Sequence, residues 1–317
     1  MKFICYSKLQ PRGGLGNKIF VWSYGLVFAH RNNCEHYTSK WAVLHFGPMV
    51  RREKSMRLYF GSFKEDHIVD KLKMFFYKKK YETVILKDED TNLLIEEDFK
   101  KDTIYTFYKA CPDWHTGYDQ LKEHRSYITE EFYKKLNAKV LNRLARHDPP
   151  VIGLHVRKGD FQELKEGEEL TLGSVARRTP NQFFIDIVKN IRLFTGKKIP
   201  ATIFSDGKKE DLRDILALEN TKLAEDDLDI VHLLLLSKSK VIVLSAGSTF
   251  SGWSAFLSDA VILHNENYFV NTIRDKTSNR SFYEGVIASD HNTWPSLLKE
   301  NLLKLEETIG LAKSDRV

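Results

Sequence analysis

The sequence has few cysteines and no long apolar run, and both shortages exclude classes of protein. Its 317 residues include only three cysteines, Cys5, Cys34 and Cys111. Their number is odd and their spacing is wide, so they supply neither a disulfide framework nor a C-x-x-C metal knuckle, which favours a reducing compartment. No run approaches the roughly 18 apolar residues of a transmembrane helix, and the first apolar stretch is too short for a signal peptide. We therefore expect a cytoplasmic protein without a transmembrane segment, and peripheral attachment to a membrane stays open.

A strong excess of charge of one sign is also missing. Lys and Arg number 49 against 43 Asp and Glu, which gives a formal net charge of +6. This balance suits an anionic small molecule and does not require nucleic acid. The hydrophobic fraction of 42% excludes a disordered chain. Because single hydrophobic cores stop growing near about 250–300 residues, the length predicts two domains.

The clearest break in the chain is Arg146-His-Asp-Pro-Pro150, since prolines lack an amide donor and disfavour helix before them. We predict an N-terminal domain over residues 1–148 and a C-terminal domain over residues 149–317. The first domain begins with a strand at residues 3–7, a tight glycine turn at 11–16 and an apolar helix at 18–30. The turn is similar to a dinucleotide fingerprint whose third glycine is replaced by Ile19, so a nicotinamide dehydrogenase is a weak alternative.

The second domain alternates short apolar runs with helical patterns. The runs predict strands at residues 151–156, 201–205, 240–245 and 260–264, and the helical patterns begin at Pro180, cover 226–237, and close the chain with a helix ending at Gly310. Runs this short suit parallel strands buried on both faces, and the alternation predicts a doubly wound α/β domain. In such sheets ligands bind at the carboxyl ends of the strands.

Polar residues follow three of these predicted strands. The segments are His155-Val-Arg-Lys-Gly-Asp160, Phe204-Ser-Asp206 and Ser245-Ala-Gly-Ser-Thr-Phe-Ser-Gly-Trp253. Arg157 can bind a phosphate with two N–H groups, and the small residues of the third segment can present amides at a helix start. Each segment alone is typical of a surface turn or a helix cap. Together, at three strand ends of one domain, they predict a diphosphate pocket.

Two other charged features favour structural interpretations. Residues 71–81 are basic and aromatic, and contact with nucleic acid or a membrane is an alternative to the favoured amphipathic helix with a solvated basic face. The acid pairs Asp88-Glu-Asp90 and Asp227-Leu-Asp229 have the spacing of a metal-binding Asp-x-Asp motif. Acid pairs are common in loops and at helix starts, so we predict no metal site.

The ordered motifs resemble family 11 glycosyltransferases, the α-1,2-fucosyltransferase type. The motifs are Gly13-Gly-Leu-Gly-Asn-Lys-Ile-Phe20, His155 to Asp160, Ile203 to Asp206, and Leu233-Leu-Leu-Leu-Ser237 followed by Ser248 to Trp253. A segment from Trp114 to Tyr118, with Arg125 to Thr129, also resembles that family. The resemblance implies a GT-B-like α/β fold of two Rossmann-like domains facing across a cleft. In that fold the domain over residues 1–148 would be the acceptor-side domain, and the domain over residues 149–317 would bind the nucleotide sugar. It also implies inverting transfer of a sugar, L-fucose from GDP-fucose, to a glycan hydroxyl, with no metal and no cofactor besides the donor.

The resemblance also assigns roles to residues. Arg157 would hold the donor diphosphate, and the other donor-pocket residues would be Gly14, Gly16, Asn17, His155, Asp160, Ser205, Asp206, Ser248, Thr249 and Phe250. The sequence departs from the family at Lys18, which stands where Gln is usual, at Gly252-Trp253, which replaces a Trp pair, and at His232, where an acid that recognises the base is usual. Asp229 can take over that role if the helix is shifted.

Leaving-group stabilisation is usually the largest catalytic effect. We therefore expect Arg157, which would stabilise the leaving diphosphate, to contribute more to the rate than any general base. Lys158 or Lys18 can add positive charge. Asp160 and Glu163 are the candidate general bases, because the polar stretch of residues 162–179 looks like an acceptor loop. Solvated acids in a charged loop are an equal alternative. The rival functions are a nucleotide-sugar or carbohydrate-binding protein without activity, and a transferase that uses another GDP-sugar.

Overall fold

The computed structural model describes residues 3–10, 13–42, 59–69, 71–96, 102–109, 116–174 and 176–305. The described chain forms two compact units, of which the first ends at Arg143 and the second begins at Leu144. Each unit is built on a parallel sheet with helices, as the α/β prediction requires. In the described part of the chain, no helix has the length and apolarity needed to cross a membrane.

The first unit contains a four-stranded parallel sheet in the order β2-β1-β4-β3. The strands are β1 (Phe3–Ser7), β2 (Glu35–Thr38), β3 (Glu82–Leu86) and β4 (Thr103–Phe107). The helices are α1 (Leu15–Arg31), α2 (Lys71–Lys80), α3 (Arg125–Lys135) and α4 (Ala138–Leu144). Helix α1 is apolar around its whole circumference and is buried over most of its length, as expected for a helix in the centre of a domain.

The second unit contains a six-stranded parallel sheet in the order β10-β9-β8-β5-β6-β7. The strands are β5 (Ile152–Val156), β6 (Ala201–Ser205), β7 (Thr221–Leu223), β8 (Val241–Val243), β9 (Val261–Leu263) and β10 (Glu284–Gly285). The helices are α5 (Asn181–Thr195), α6 (Arg213–Leu216), α7 (Asp229–Ser237), α8 (Thr249–Phe256), α9 (Ser278–Ser281) and α10 (Ser296–Leu303). The central strands are buried on both faces, which explains their continuous apolar sequences.

The strand order of the second unit reverses at β5. The chain runs outward through β6 and β7, returns to the other side of β5, and continues outward through β8, β9 and β10. The connection after β5 leads to one side of the sheet and the connection after β8 leads to the other, so a crevice forms between the ends of these two strands. Open α/β sheets bind ligands in this crevice. The residues after β5 and β8 are therefore where a ligand is expected.

The predicted strands and helices of the second unit are confirmed, with differences at their ends. The helix predicted over residues 226–237 begins at Asp229, and Pro180 lies before the first residue of α5 and not inside its first turn. The closing helix covers Ser296–Leu303, whereas Ile309 and Gly310 lie outside the described residues, as do Cys111 and Trp114. In the first unit the helix over residues 71–81 is confirmed, but its exposed face is not only basic, because Leu72, Phe75 and Phe76 are exposed on it.

Candidate functional site

Arg157 lies directly after β5, and its guanidinium group is held between two carboxylates. Nη1 donates to Asp206, which follows β6, and Nη2 donates to Asp160. The guanidinium carbon also lies 5.3 Å from the centre of the Phe161 ring. Two of the five N–H donors of the guanidinium are thereby used. The other three have no protein partner among the described residues, so a fixed cationic fork with donors to spare stands at the strand end.

Asp206 orders the loop that carries Arg157. Its Oδ1 accepts hydrogen bonds from the backbone N–H groups of Lys158 at 2.8 Å and Gly159 at 3.1 Å. Position 159 has to be glycine, because a Cβ there would lie 2.1 Å from Asp206 Oδ2. Ser205, the preceding residue, donates to the Val156 carbonyl at 2.6 Å and so joins the ends of β5 and β6. The loop is therefore built to place Arg157.

Ser245 joins the ends of β5 and β8. Its hydroxyl donates to the His155 carbonyl at 2.6 Å and accepts from the Arg157 N–H at 2.8 Å. The chain then turns at Gly247, whose φ of +66° lies in the left-handed region that favours glycine. In the same turn the N–H of Ala246 donates to Thr179 Oγ1 at 2.9 Å. The three strand ends are therefore tied to one another by side-chain hydrogen bonds.

His155 forms the buried floor beneath this turn. It is 5% exposed, and its ring is stacked on Phe250 with centroids 5.1 Å apart and planes at 22°. Burial is the main cause that lowers its pKa to about 3, with Asp206 opposing and Arg157 adding to the effect. The imidazole is therefore neutral at neutral pH. Its Nδ1 has no hydrogen-bond partner among the described residues, which is costly for a buried polar atom unless a ligand or water meets it.

The start of α8 presents backbone donors at the same place. Ser248 is the N-cap residue, and the first helical hydrogen bond runs from the Gly252 N–H to the Ser248 carbonyl at 3.0 Å. The N–H groups of Thr249, Phe250 and Ser251 precede that bond and have no backbone partner within the helix. A helix start of this kind attracts anions, and the stacking of Phe250 on His155 fixes it beside β5. Arg157 and the amides of α8 therefore both lie at the carboxyl ends of neighbouring strands, β5 and β8.

The other charged residues of the predicted pocket are engaged elsewhere. Glu163 is 78% exposed and pairs with Arg178 at 3.0 Å, so it does not contact Arg157. Lys158 is buried and donates to Asn181 Oδ1 at 2.7 Å. Lys18 is 1% exposed and donates to the Trp41 carbonyl at 2.7 Å, and burial lowers its pKa to about 8. The expectation that Lys18 or Lys158 adds charge at the diphosphate is therefore not supported by their positions.

The residues proposed for base recognition lie at the start of α7. Asp229 is the first residue of that helix and is half-buried. The Nε2–H of His232 donates a hydrogen bond to the Glu225 carbonyl at 2.8 Å, and its ring meets the Phe204 ring edge-on at 5.6 Å. His232 therefore holds the preceding loop against β6, a structural role that leaves the neighbouring carboxylate as the candidate for the base.

Gly14, Gly16 and Asn17 belong to the first unit. Gly14 is the N-cap residue of α1, and Gly16 and Asn17 lie in its first turn, where Gly16 is buried. No side chain caps this helix start and no acid lies in its first turn, so it too presents unpaired amides. Its participation in the donor site of the second unit stays a prediction.

The acid pairs occupy ordinary structural positions. Asp90 accepts a hydrogen bond from the Lys87 N–H at 2.9 Å within a short 3-10 helix, and Asp227 pairs with His147 at 2.9 Å. The described residues contain no group of three or more His, Cys, Asp or Glu side chains that could hold a metal ion.

Three contributors to the site were missed in the sequence analysis as individual residues. Ser245, Gly159 and Thr179 position Arg157 and the β8 turn, as their contacts above show. Ser245 and Gly159 stand inside the quoted motifs, so their place at strand ends was visible. Their partners lie 88 and 47 residues away in the chain, which no local pattern can indicate.

Comparison with known proteins identifies the fold. The sequence matches no protein-family model and no curated protein. Among solved structures, the NodZ alpha-1,6-fucosyltransferase soaked with GDP-fucose is similar at a TM-score of 0.51 and 13% identity, over 86% of this chain and 98% of that one. Arabidopsis thaliana FUT1 in complex with GDP gives a TM-score of 0.49 and 11% identity over 86% and 73%. POFUT1 in complex with GDP-fucose gives 0.47 and 11% over 82% and 94%. At these identities the likeness to NodZ establishes a GT-B-like α/β fold and nothing about activity.

Proposed function

We propose that the protein is an inverting glycosyltransferase that moves L-fucose from GDP-fucose to a hydroxyl of a glycan acceptor. The observation that carries the proposal is the Arg157 fork, which stands at the switch point of a doubly wound sheet with three donors unused and a helix start beside it. This combination suits a nucleoside diphosphate. The fold shared with NodZ, a fucosyltransferase soaked with GDP-fucose, supports the choice of donor.

The proposed reaction displaces GDP in one step. The acceptor oxygen attacks the anomeric carbon of fucose while the bond from that carbon to the diphosphate oxygen breaks, and the hydroxyl proton passes to a carboxylate. Arg157 and the amides of α8 take up the charge that develops on the leaving diphosphate, and a well-placed donor of this kind contributes about 2.7–4 kcal/mol. Asp160 and Glu163 are the candidate bases. Asp160 accepts a hydrogen bond from Arg157, and Glu163 accepts one from Arg178.

We propose that the reaction uses no metal ion and no cofactor, because the positive charge for the diphosphate is supplied by Arg157 and backbone amides. The partners would be the donor and a glycan, without nucleic acid. Cys5 is a buried thiol that forms no disulfide, which supports a cytoplasmic location. The family 11 assignment, with transfer to the 2-hydroxyl, rests on the ordered motifs. Linkage analysis of the product tests it separately from donor choice.

A binding protein without activity is the second candidate, and one observation favours it. Arg157 already has two carboxylate partners, so a diphosphate has to share the guanidinium with them or displace one. Release of GDP from GDP-fucose separates the two candidates. An enzyme hydrolyses the donor slowly without acceptor, whereas a binding protein retains it.

The first test is a thermal-shift series in EDTA with GDP, GDP-fucose, GDP-mannose, UDP-glucose and ADP. A ligand at 100 times its Kd raises the free energy of unfolding by about 2.7 kcal/mol, so GDP and GDP-fucose should raise the Tm. Preference for GDP-mannose over GDP-fucose would indicate a transferase for another sugar. Stabilisation by UDP-glucose alone, or only after Mn²⁺ is added, would contradict the donor and the metal-free mechanism.

A further inference from the structure

Helix α2 carries large apolar side chains on two opposite faces. On its inner face Met74 is 4% exposed and, with Tyr77, packs against the first sheet. On its outer face Leu72, Phe75 and Phe76 are 66%, 53% and 60% exposed. Residues at spacing i, i+3 and i+4 lie on one side of a helix, so these three form a single exposed patch. The inner face alone accounts for the packing of the helix, and the outer apolar residues serve no purpose in it.

Lysines surround this patch. Lys73, Lys78, Lys79 and Lys80 are all exposed, and the helix contains no acidic residue. The Nζ of Lys79 lies 4.6 Å from the centre of the Phe75 ring, so cationic groups lie directly at the edge of the apolar surface. A solvated basic face would not need aromatic residues among its lysines.

Strand β3, at the edge of the first sheet, also has an exposed apolar residue. Ile85 is 60% exposed. Its register with Thr106 of β4, which pairs with Tyr6 of β1, puts Ile85 on the sheet face that α2 covers. This face of the first unit therefore combines an edge strand and a helix, both with apolar side chains directed to solvent.

We propose that the outer face of α2 docks the protein on an anionic lipid membrane. The charge is complementary to acidic headgroups, and the apolar residues can enter the boundary of headgroups and acyl chains, about 5–10 Å deep, while the lysines remain at the phosphates. A nucleic-acid duplex offers phosphates but no apolar phase for Leu72, Phe75 and Phe76. A second copy of the helix would bring like charges together. The patch belongs to the first unit, whereas Arg157 belongs to the second, so this inference does not depend on the proposed function.

Sedimentation of the full chain with vesicles tests the proposal. The protein should bind vesicles of phosphatidylcholine with phosphatidylserine and should bind pure phosphatidylcholine vesicles much more weakly. Binding should weaken as salt is raised, because screening acts on exposed charges. Each lysine near an anionic surface contributes about fivefold in affinity, so Lys79→Glu with Lys80→Glu should reduce binding at least about 25-fold.

Two further variants complete the test. Phe75→Gln with Phe76→Gln keeps the charge and a good helix propensity, and should reduce binding while leaving the Tm nearly unchanged. The matched controls change exposed residues elsewhere, with Lys139→Glu plus Lys189→Glu for charge and Leu193→Ser for apolarity, and should bind like the wild type. Controls that lose binding as strongly as the α2 variants would overturn the proposal, as would absent or equal binding to the two vesicle types. Binding of an oligonucleotide that vesicles cannot compete away, or α2-dependent dimerisation without vesicle binding, would also overturn it.

Discussion

Arg157 is held by two acids, Asp206 and Asp160, and this changes what its removal should do. In Arg157→Ala, Asp160 and Asp206 remain as uncompensated carboxylates at the diphosphate position, so repulsion adds to the lost attraction. We expect the transfer rate to fall by at least about 10²–10³-fold, the loss typical of one missing electrostatic donor.

The lysine variant separates charge from geometry. Arg157→Lys keeps the charge but cannot reach both acids and the ligand, so it should restore little of the activity. Arg213→Ala, a change of an exposed arginine in the same unit, is the matched control. Steady-state rates at saturating donor provide the measurement, and a wild-type rate for either Arg157 variant would show that the guanidinium is structural.

Gly159 gives a second prediction at this scale. Because a Cβ would lie 2.1 Å from Asp206 Oδ2, Gly159→Ala should displace Asp206 and free the loop that carries Arg157. Overpacking of this kind costs about 1–3 kcal/mol, and we expect a lower Tm together with a loss of GDP affinity of about tenfold or more. Gly173→Ala is the control, since its Cβ would meet only Thr171 Oγ1 at 3.9 Å. Unchanged GDP affinity in Gly159→Ala, measured by calorimetry, would remove Asp206 from the donor site.

The sequence showed which residue types could bind a phosphate, but it did not show which side chains would pair with one another in the site. Arg157 is recognisable because a guanidinium after a buried strand suits a phosphate. That Asp206 and Asp160 share its fork is a consequence of β6 lying next to β5, which the sequence does not specify. Lys18 illustrates the opposite case, because beside a glycine-rich turn it looks like a free charge, whereas it is buried and donates to the Trp41 carbonyl.

At the scale of elements, strands buried on both faces were predictable and exposed strands were not. The strands β5, β6, β8 and β9 are continuous apolar runs bounded by polar residues, as a central strand requires. Strand β2 reads Glu-His-Tyr-Thr and β3 has Ile85 exposed, because both are edge strands whose sequence need not be apolar. Strand β4 is an exception, because it is central and buried but was also missed. Its two threonines interrupt the apolar run that marks the central strands of the second unit.

At the scale of elements, the testable prediction concerns recognition of the base by the first residue of helix α7. A carboxylate at Asp229 can accept the N1 and N2 hydrogens of guanine, which adenine does not offer. Asp229→Asn should therefore weaken GDP binding strongly and reduce the preference for GDP over ADP. His232→Ala removes the hydrogen bond to Glu225 and the contact with Phe204, so it should lower the Tm and leave the preference intact. Calorimetric affinities for both nucleotides provide the measurement, and unchanged discrimination in Asp229→Asn would reject the assignment.

At the scale of the whole molecule, two domains were predicted from the chain length, and a parallel sheet in the second domain was predicted from the alternation of strand and helix. A sheet in the first domain was implied only by the family resemblance. The sequence pattern could not predict the strand orders of the GT-B-like fold, which are 2-1-4-3 in the first sheet and 10-9-8-5-6-7 in the second. Strand order decides which loops meet, and it places the loops after β5 and β8 together at the switch point of the second unit. Local sequence indicates the apolar strands of the second unit, whereas strand order depends on contacts between distant segments.

The stability of the whole molecule should fall in mild acid because of His155. Burial lowers the pKa of this imidazole to about 3, whereas a histidine in the unfolded chain titrates near about 6.5. Between these values the unfolded state binds the extra proton, so the free energy of unfolding rises with pH. The contribution is complete above about pH 6.5 and is lost as pH falls towards 3, with a slope of at most about 1.4 kcal/mol per pH unit. His155→Gln cannot take up that proton, and its free energy of unfolding in urea should decline less steeply from pH 7 to pH 4 than that of the wild type. Carboxylates contribute equally to both proteins and cancel in the comparison. Parallel curves for the two proteins would show that His155 is not held neutral by burial.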